Sequence, residues 1–379
     1  MSESSIIRPV ELLASSPRSR VILCAKTESE AVLLKALQLP LNDRATAERV
    51  AREVTLASRM LHPFIVASEG WFSAGREVYL SLEYLPGGDI DFLIDREGVL
   101  SPHAARFYVG CAALALEALH SFGYVHRDVK PDNLLIGADG YAKLSDLGFA
   151  RVLLDGERAH TLLGTPEYLA PECFLGEGAD ARSDIWALGT SLYVMLTASY
   201  PWCGATPEDI YARVLEEPLF FPKNVFTFSE PVKAFLSACL RRKAEHRPAV
   251  AALWEFDVFA KPLPPTGTCP PLTRDEMLRK AVKPPFLPHL KGAFDTHYFA
   301  EAADSEEEEC DEGSSHRGGQ RGRLHYVATE NPNGRTSLGT CTDQPQTDVK
   351  QQDAVMALAS GAADPANFVM RACSVEELM

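Results

Sequence analysis

From residue 22 to residue 85 the chain alternates short apolar stretches with polar turns, which predicts a unit built mainly from β-strands. One helix is expected inside this unit, over residues 45–61, where Val50 and Val54 lie one helical turn apart. The run VYLSLEYL at residues 78–85 is rich in β-branched, aromatic and other apolar residues and is expected to be the last strand.

Pro86, Gly87 and Gly88 interrupt the strand pattern, as a hinge between two units would. Beyond them the spacing of apolar residues becomes helical, which predicts a larger unit dominated by α-helices. The fold class expected is therefore α+β, with a small β-rich lobe followed by a larger helical lobe. Apolar helical faces are expected over residues 102–122, 183–198, 207–216 and 231–240.

The C-terminal third differs in composition from the rest. Proline-rich sequence over residues 261–271 predicts an extended path along a surface. An acidic run occupies residues 305–313, and the polar sequence that follows has few large apolar residues, which predicts disorder up to about residue 351. The domains expected are an N-lobe at 1–85, a C-lobe at 86–260, an extension at 261–312 and a mostly disordered tail at 313–379.

Composition narrows the class of protein. The net charge is −15 and the pI is about 5.2, which argues against nucleic-acid binding. The nine cysteines form no CxxC pair, so a zinc site and a disulfide framework are both disfavoured. No apolar run reaches the roughly 18–20 residues of a membrane span, and no signal peptide is visible. These features predict a soluble cytoplasmic protein that binds neither nucleic acid nor membrane, with a nuclear location left open.

The run HRDVKPDN carries the strongest chemical signal in the sequence. Phosphoryl transfer from ATP needs a positioned hydroxyl, neutralised phosphate charge and a bound cation. Asp128 can accept the proton of the attacking hydroxyl, and Lys130 can neutralise the transferred phosphate. Asn133 supplies a carbonyl oxygen, which suits Mg²⁺. The spacing of these three residues predicts a catalytic loop.

Two further motifs belong with this loop. Asp146 in SDLGFAR is expected to bind Mg²⁺ as well, and Leu147 is expected to pack inward where phenylalanine is commoner. In GTPEYLAPE, Thr165 is expected to hydrogen-bond near Asp128 and Lys130 and to shape a site for serine or threonine. Structural roles are expected for three other residues: an ion pair of Glu172 with Arg247, and anchoring of the catalytic loop by Asp184.

Together these motifs resemble the protein kinase superfamily over residues 22–260, and within it the AGC group. The run AHTLLGTPEYLAPE is most similar to the cyclic-nucleotide-dependent kinases. The resemblance implies a bilobal kinase fold, the cofactors ATP and Mg²⁺, and protein substrates. It also implies phosphorylation of Thr161, whose phosphate would pair with Arg127.

The resemblance also assigns the nucleotide site. Lys35 in AVLLKAL is expected to contact the α- and β-phosphates. Its partner is expected to be Glu53, ten residues before Pro63, with Glu48 as the rival. Further assignments are Leu82 as gatekeeper, the backbone of Glu83 and Leu85 against adenine, and Asp89 near the ribose.

Acidic residues near the substrate channel bear on specificity. Asp89 and Asp132 lie where arginine-directed relatives carry acids, which favours an arginine upstream of the phosphorylated residue. Ala212 replaces a second acid of this kind, which weakens that preference. The extension resembles the AGC type, so that Phe299 would reach the adenine pocket and the acidic run at 306–309 would follow it. Phe368 is at best half of a terminal hydrophobic motif.

One element departs from the family pattern. The glycine-rich hairpin that covers the phosphates aligns with LASSPRSRVIL, which places Ala14, Ser16 and Ser19 at the three glycine positions. Side chains there restrict φ and move the amides away from the phosphates, and Pro17 removes one donor. Three explanations stay open: an active kinase with weakened ATP affinity, a pseudokinase that serves as a scaffold, or an incorrect gene start.

The catalytic residues favour the hypothesis that the chain is an active serine/threonine kinase. A non-catalytic interaction scaffold is the alternative, and a small-molecule kinase is disfavoured by GTPEYLAPE. No cyclic-nucleotide-binding domain is visible, so regulation by a cyclic nucleotide would need a separate regulatory chain.

Overall fold

A twisted antiparallel sheet of five strands forms the first part of the described structure, in the order β1-β2-β3-β5-β4. The computed structural model describes residues 7–39, 44–154, 156–222, 228–263 and 270–299. Helix α1 (Arg44–Arg59) connects β3 to β4, close to the helix expected at residues 45–61. The strands are β1 (Arg8–Ser16), β2 (Ser19–Ala25), β3 (Ala31–Gln38), β4 (Ser68–Ala74) and β5 (Glu77–Glu83).

The second part is mainly helical, which confirms the predicted α+β fold. Its helices are α2 (Ile90–Glu97), α3 (Pro102–Ser121), α4 (Pro171–Phe174), α5 (Ala181–Thr197), α6 (Pro207–Glu216), α7 (Glu230–Cys239), α8 (Asp257–Ala260) and α9 (Arg274–Leu278). Short strand pairs join β6 (Tyr124–Val125) to β9 (Arg151–Val152) and β7 (Leu134–Ile136) to β8 (Ala142–Leu144). Short 3₁₀ helices lie at Pro131–Asn133, Leu147–Phe149, Pro166–Tyr168, Ala244–His246 and Val250–Glu255.

Helices α3 and α5 form the centre of the helical part. Helix α3 is buried along most of its length, because alanine and leucine dominate its sequence. Helix α5 begins with a capping box in which Asp180 and Ser183 bond each other's backbone, so its start is fixed. None of the described helices is long and apolar enough to cross a membrane.

After α9 the chain returns across the outside of the β7–β8 turn to the hinge. Tyr141 Oη donates to the carbonyl of Val282, and Lys280 Nζ lies 2.5 Å from Asp139 Oδ2. Near the end of this path Thr296 Oγ1 donates to Glu11 of β1 at 2.9 Å. The extension therefore contacts both lobes. The acidic run, Phe368 and the tail at 313–379 lie outside the described residues, and the domain boundaries stay predictions.

Candidate active site

Lys35 lies where the two lobes meet, between two carboxylates. Its Nζ is 2.7 Å from Glu53 Oε1 and 2.9 Å from Asp146 Oδ1. Burial alone would lower the pKa of Lys35, but the charges of Asp146 and Glu53 raise it above the ordinary value. Burial would raise the pKa of Asp146, but the charge and hydrogen bond of Lys35 hold it well below its usual range. Lys35 is therefore a fixed cation and Asp146 a fixed anion at neutral pH.

The rival glutamate lies elsewhere on α1. Glu48 Oε1 accepts a hydrogen bond from Arg44 at 2.8 Å, on the outer side of the helix. Glu53, in contrast, is only 5% exposed. Helix α1 is continuous over 16 residues, so the face of the helix on which a glutamate lies decides whether its side chain can reach strand β3. Of the two candidates, the structure brings Glu53 to Lys35.

Four residues of the catalytic loop and activation segment form one hydrogen-bonded group. Asn133 Nδ2 donates to Asp128 O at 2.7 Å and to Asp128 Oδ2 at 2.9 Å. Lys130 Nζ donates to Thr165 Oγ1 at 2.9 Å and lies 3.5 Å from Asp128 Oδ2. Thr165 Oγ1 in turn donates to Asp128 Oδ1 at 3.4 Å. Asp128 is therefore oriented from three sides.

Asp184 of α5 anchors the backbone of the catalytic loop. Its carboxylate accepts the backbone N–H groups of His126 at 2.9 Å and Arg127 at 2.8 Å. His120 Nε2 lies 2.8 Å from the same carboxylate. Burial would raise the pKa of Asp184, but the hydrogen bond and charge of His120 lower it. This anchor holds Arg127 at a φ of 69°, a strained value for an arginine.

The residues expected to bind Mg²⁺ come together at the end of the β7–β8 pair. Ser145 N–H donates to Asn133 O at 2.8 Å, which places Asn133 beside the residue preceding Asp146. Because Asn133 Nδ2 already donates to Asp128, its side-chain oxygen is the atom left for a cation. The described residues hold no group of three or more His, Cys, Asp or Glu that could form a complete metal site. Two oxygen ligands with phosphate and water fit Mg²⁺.

The hinge carries a side-chain contact that the sequence did not suggest. Glu83 Oε1 accepts the N–H of Ala67 at 2.6 Å and lies 2.7 Å from Lys143 Nζ. The N–H of Glu83 donates to Ala67 O at 3.0 Å, so this N–H is engaged within the protein, and the expected contact of the Glu83 and Leu85 backbone with adenine stays a prediction. Leu82 packs against the core, and Leu85 is buried.

Other nucleotide-site candidates lie around the hinge as well. The Phe299 ring lies 6.0 Å from the ring of Tyr84, and Tyr84 Oη donates to Asp295 O at 2.5 Å. The structure thus brings Phe299 to the hinge. Asp89 caps helix α2, where its Oδ1 accepts the N–H of Phe92 at 2.7 Å. An aspartate directly before an apolar helix is an N-cap signal, which the sequence reasoning on Asp89 did not use.

The activation segment brings Thr161 to the same small cavity as Arg127. Arg127 Nε donates to Phe149 O at 2.7 Å, while its buried Nη1 has no partner among the described residues. Burial lowers the pKa of Arg127 to about 10, and the charges of Arg151 and Arg52 contribute. Burial also lowers the pKa of Arg52, with Arg151 and Arg49 acting in the same direction. We refer to Arg49, Arg52, Arg127 and Arg151 as the arginine cluster.

Two expected structural contacts are present, and the role of Asp132 in substrate recognition stays a prediction. Glu172 accepts two hydrogen bonds of 2.7 Å from Arg247, and both residues are buried. Leu147 is 5% exposed and belongs to the core. Asp132 is half-buried beside Lys130, whose pKa burial would lower but Asp128 and Asp132 raise.

Comparison with known proteins gives one family. Residues 13–259 match the protein kinase domain family. The serine/threonine-protein kinase gad8 of Schizosaccharomyces pombe is 33% identical over 68% of this chain and 43% of its own length. A RAC family serine/threonine-protein kinase homolog of Dictyostelium discoideum is 30% identical over 66% and 54%, respectively. A cAMP-dependent protein kinase, catalytic subunit-like, of Caenorhabditis elegans is 32% identical over 68% and 62%. The match thus spans about half the length of these relatives.

Proposed function

Since this chain belongs to the protein kinase domain family and, within it, to the AGC group, we propose that it transfers the γ-phosphate of MgATP to serine or threonine hydroxyls of proteins. The observation that carries the proposal is the hydrogen-bonded group of Asp128, Lys130, Asn133 and Thr165. The Lys35–Glu53 pair lies across the cleft from it.

Each residue has a defined task in this proposal. Asn133 and Asp146 would hold Mg²⁺, which neutralises phosphate charge when bound. Lys35 would contact the phosphates, with its position set by Glu53. Asp128 would orient the substrate hydroxyl and accept its proton, and Lys130 would meet the transferred phosphoryl group. The hydrogen bond of Lys130 to Thr165 ties the activation segment to this point.

A transfer assay tests the proposal. The full chain is incubated with γ-labelled ATP, Mg²⁺ and a mixture of peptides that contain serine, threonine or tyrosine. We expect label on serine and threonine, and its loss in Asp146→Asn. Asp95→Asn is the matched control, because Asp95 is an exposed residue of α2. The absence of transfer by the unmodified chain would contradict the proposal, whether or not the chain binds nucleotide.

A non-catalytic scaffold of the same fold is the second candidate. The observation that favours it is the hairpin β1–β2, where Ala14, Ser16 and Ser19 stand at the glycine positions. The assay above separates the two candidates, because a scaffold would transfer no label even where it binds nucleotide. The complete set Lys35, Asp128, Asn133 and Asp146 favours the enzyme.

Phosphorylation of Thr161 is proposed as the activating step. Thr161 is exposed, while Arg127 beside it offers a buried Nη1 donor that has no partner in the described part of the chain. A phosphate would relieve the repulsion among the cations of the arginine cluster and fix the segment that carries Thr165. We expect Thr161→Ala to lower kcat. In a double variant with Thr161→Ala, Arg127→Met is expected to lower kcat no further than Thr161→Ala alone. Additive losses of kcat would contradict the pairing of the phosphate with Arg127.

Substrates with an upstream arginine are proposed as the preferred class. Asp132 is half-buried and directly precedes Asn133 in the catalytic loop. We expect Asp132→Asn to lower kcat/KM for peptides with an upstream arginine more than for the same peptides with alanine there. Equal losses for both peptides would contradict this role.

A further inference from the structure

The tip of the β1–β2 hairpin is closed by the side chains of Ser16 and Ser19. Ser16 Oγ accepts the Ser19 N–H at 3.1 Å and donates to Ser19 O at 3.2 Å. The two hydroxyl oxygens lie 3.0 Å apart. A serine hydroxyl has one hydrogen to donate and two lone pairs that accept, so these contacts use its full capacity. Pro17 and Arg18 form the two-residue turn between the strands.

This arrangement removes amides that a phosphate would need. A loop binds phosphate by turning several backbone N–H groups toward its oxygens. Pro17 has no N–H, and the N–H of Ser19 is directed to Ser16 Oγ. The loss therefore has two separable parts. One is the proline, and the other is a side-chain acceptor that occupies the amide at the third glycine position.

The position of the tip connects this contact to the nucleotide site. Val21 pairs with Lys35 across β2 and β3, and Ser19 pairs with Leu37. Ser19 thus lies two residues, or about 7 Å, along the sheet from the lysine that is assigned to the phosphates. Arg18 O also accepts the N–H of Gln38 at 3.0 Å, which fixes the turn to the end of β3. The tip is therefore held at the phosphate end of the cleft.

We propose that Ser16 Oγ competes with the phosphate oxygens of a nucleoside triphosphate for the Ser19 N–H, and that this contact lowers the affinity for the phosphate chain without affecting the nucleoside. The inference rests on the proposed function, since it concerns the same nucleotide site. It separates two effects of the missing glycines. The hydroxyl of Ser16 acts as an internal competitor, whereas the Cβ atoms act by bulk.

Binding of MgATP and of adenosine to the full chain, measured by calorimetry, tests the inference. Ser16→Ala removes the acceptor and keeps a Cβ. We expect it to bind MgATP about fivefold more tightly, the factor for one neutral hydrogen bond, and to bind adenosine unchanged. Ser15→Ala is the matched control on the adjacent position and is expected to behave as the unmodified chain. Ser19→Ala keeps the N–H directed to Ser16 and is expected to gain less than Ser16→Ala.

Three results would overturn the inference while leaving the proposed function intact. One is an unchanged ratio of MgATP to adenosine affinity in Ser16→Ala. The second is a gain in Ser16→Gly that Ser16→Ala lacks, which would assign the effect to the Cβ. The third is weaker MgATP binding in Ser16→Ala with an unchanged unfolding midpoint, which would make the serine pair a phosphate-binding element. If the unmodified chain and all variants bind neither ligand, the proposed function itself fails, and this inference fails with it.

Discussion

At the scale of single residues, the choice between Glu53 and Glu48 shows how much of the site depends on one helical face. Glu53 contacts Lys35 at 2.7 Å and is buried, whereas Glu48 bonds Arg44 at the surface. We expect Glu53→Gln to lower kcat/KM for MgATP about 10–100-fold, because a hydrogen bond between charged groups is worth ~1.5–3 kcal/mol. Glu48→Gln is the matched control and is expected to stay within about twofold. Steady-state kinetics on both variants measure this, and equal losses would contradict the assignment.

The sequence was sufficient for residues whose roles follow from short motifs. The spacing within HRDVKPDN placed Asp128, Lys130 and Asn133 within one loop, and the structure joins them by hydrogen bonds. It was not sufficient for Glu83 and Lys143, which meet across 60 positions of sequence. Such a pair depends on how the hinge lies against β8, and no local pattern encodes that.

The buried pair of Glu172 and Arg247 makes stability depend on pH. Burial would raise the pKa of Glu172, but the hydrogen bonds and charge of Arg247 lower it below its ordinary value of 4.5. A lowered folded-state pKa gives stability that is present above pH 4.5 and is lost as the pH falls below it. We expect Glu172→Gln to lower the free energy of unfolding by ~3–5 kcal/mol at pH 7 and by less as the pH falls below 4.5.

Denaturant unfolding at several pH values measures this difference. Glu177→Gln is the matched control, since Glu177 is exposed on the loop that follows α4. A difference between the unmodified chain and Glu172→Gln that stays constant from pH 7 to pH 3.5 would contradict the role of the ionised carboxylate.

At the scale of elements, the contact between the β7–β8 turn and the extension depends on a glycine. A Cβ on Gly140, where φ is +77°, would collide with Phe286 O and with Pro284 at 2.8 Å. Gly176 has the same φ of +77°, but a Cβ there meets nothing within 4 Å. Both substitutions place a Cβ at the same positive φ and carry the same conformational cost. A difference in behaviour between Gly140→Ala and Gly176→Ala therefore reports the collision of the Cβ with the extension.

We expect Gly140→Ala to displace the extension and Gly176→Ala to leave it in place. The displaced extension would expose Lys280, which is half-buried, so trypsin would cleave after Lys280 at least several-fold faster in Gly140→Ala. Timed proteolysis with mass spectrometry of the products measures the two rates. Equal cleavage of both variants would show that the close approach of Phe286 to the turn does not hold the extension.

Periodicity predicted the long elements closely and the short ones not at all. Helix α6 begins and ends where the apolar spacing indicates, and α1 differs from the expected range by one or two residues at its ends. The two-residue strands β6 and β9 were not predicted. Two residues carry no periodic signal, and their pairing exists only because the activation segment lies beside the catalytic loop.

At the scale of the whole molecule, the site exists only when both lobes are in place. Lys35 and Asp146 are 111 positions apart in sequence and belong to different lobes, yet their side chains lie 2.9 Å apart. A ligand that contacts both should therefore stabilise the folded chain as a unit. At a MgATP concentration of 100 times its Kd, we expect a gain of ~2.7 kcal/mol and a rise in Tm of about 5–10 °C.

Removal of the cation separates the contribution of Asp146 and Asn133 from that of the adenine site. With EDTA in excess, we expect most of the rise in Tm to disappear, because Asn133 and Asp146 are proposed to share the cation with the phosphates. In Asp146→Ala, the rise in Tm with MgATP should be as small as the rise that the unmodified chain shows in EDTA. In Asp95→Ala, the rise in Tm with MgATP should be as large as in the unmodified chain. A full shift in EDTA would mean that nucleotide binds without the cation. The lobes would then be joined by the ionic contacts of Lys35 alone.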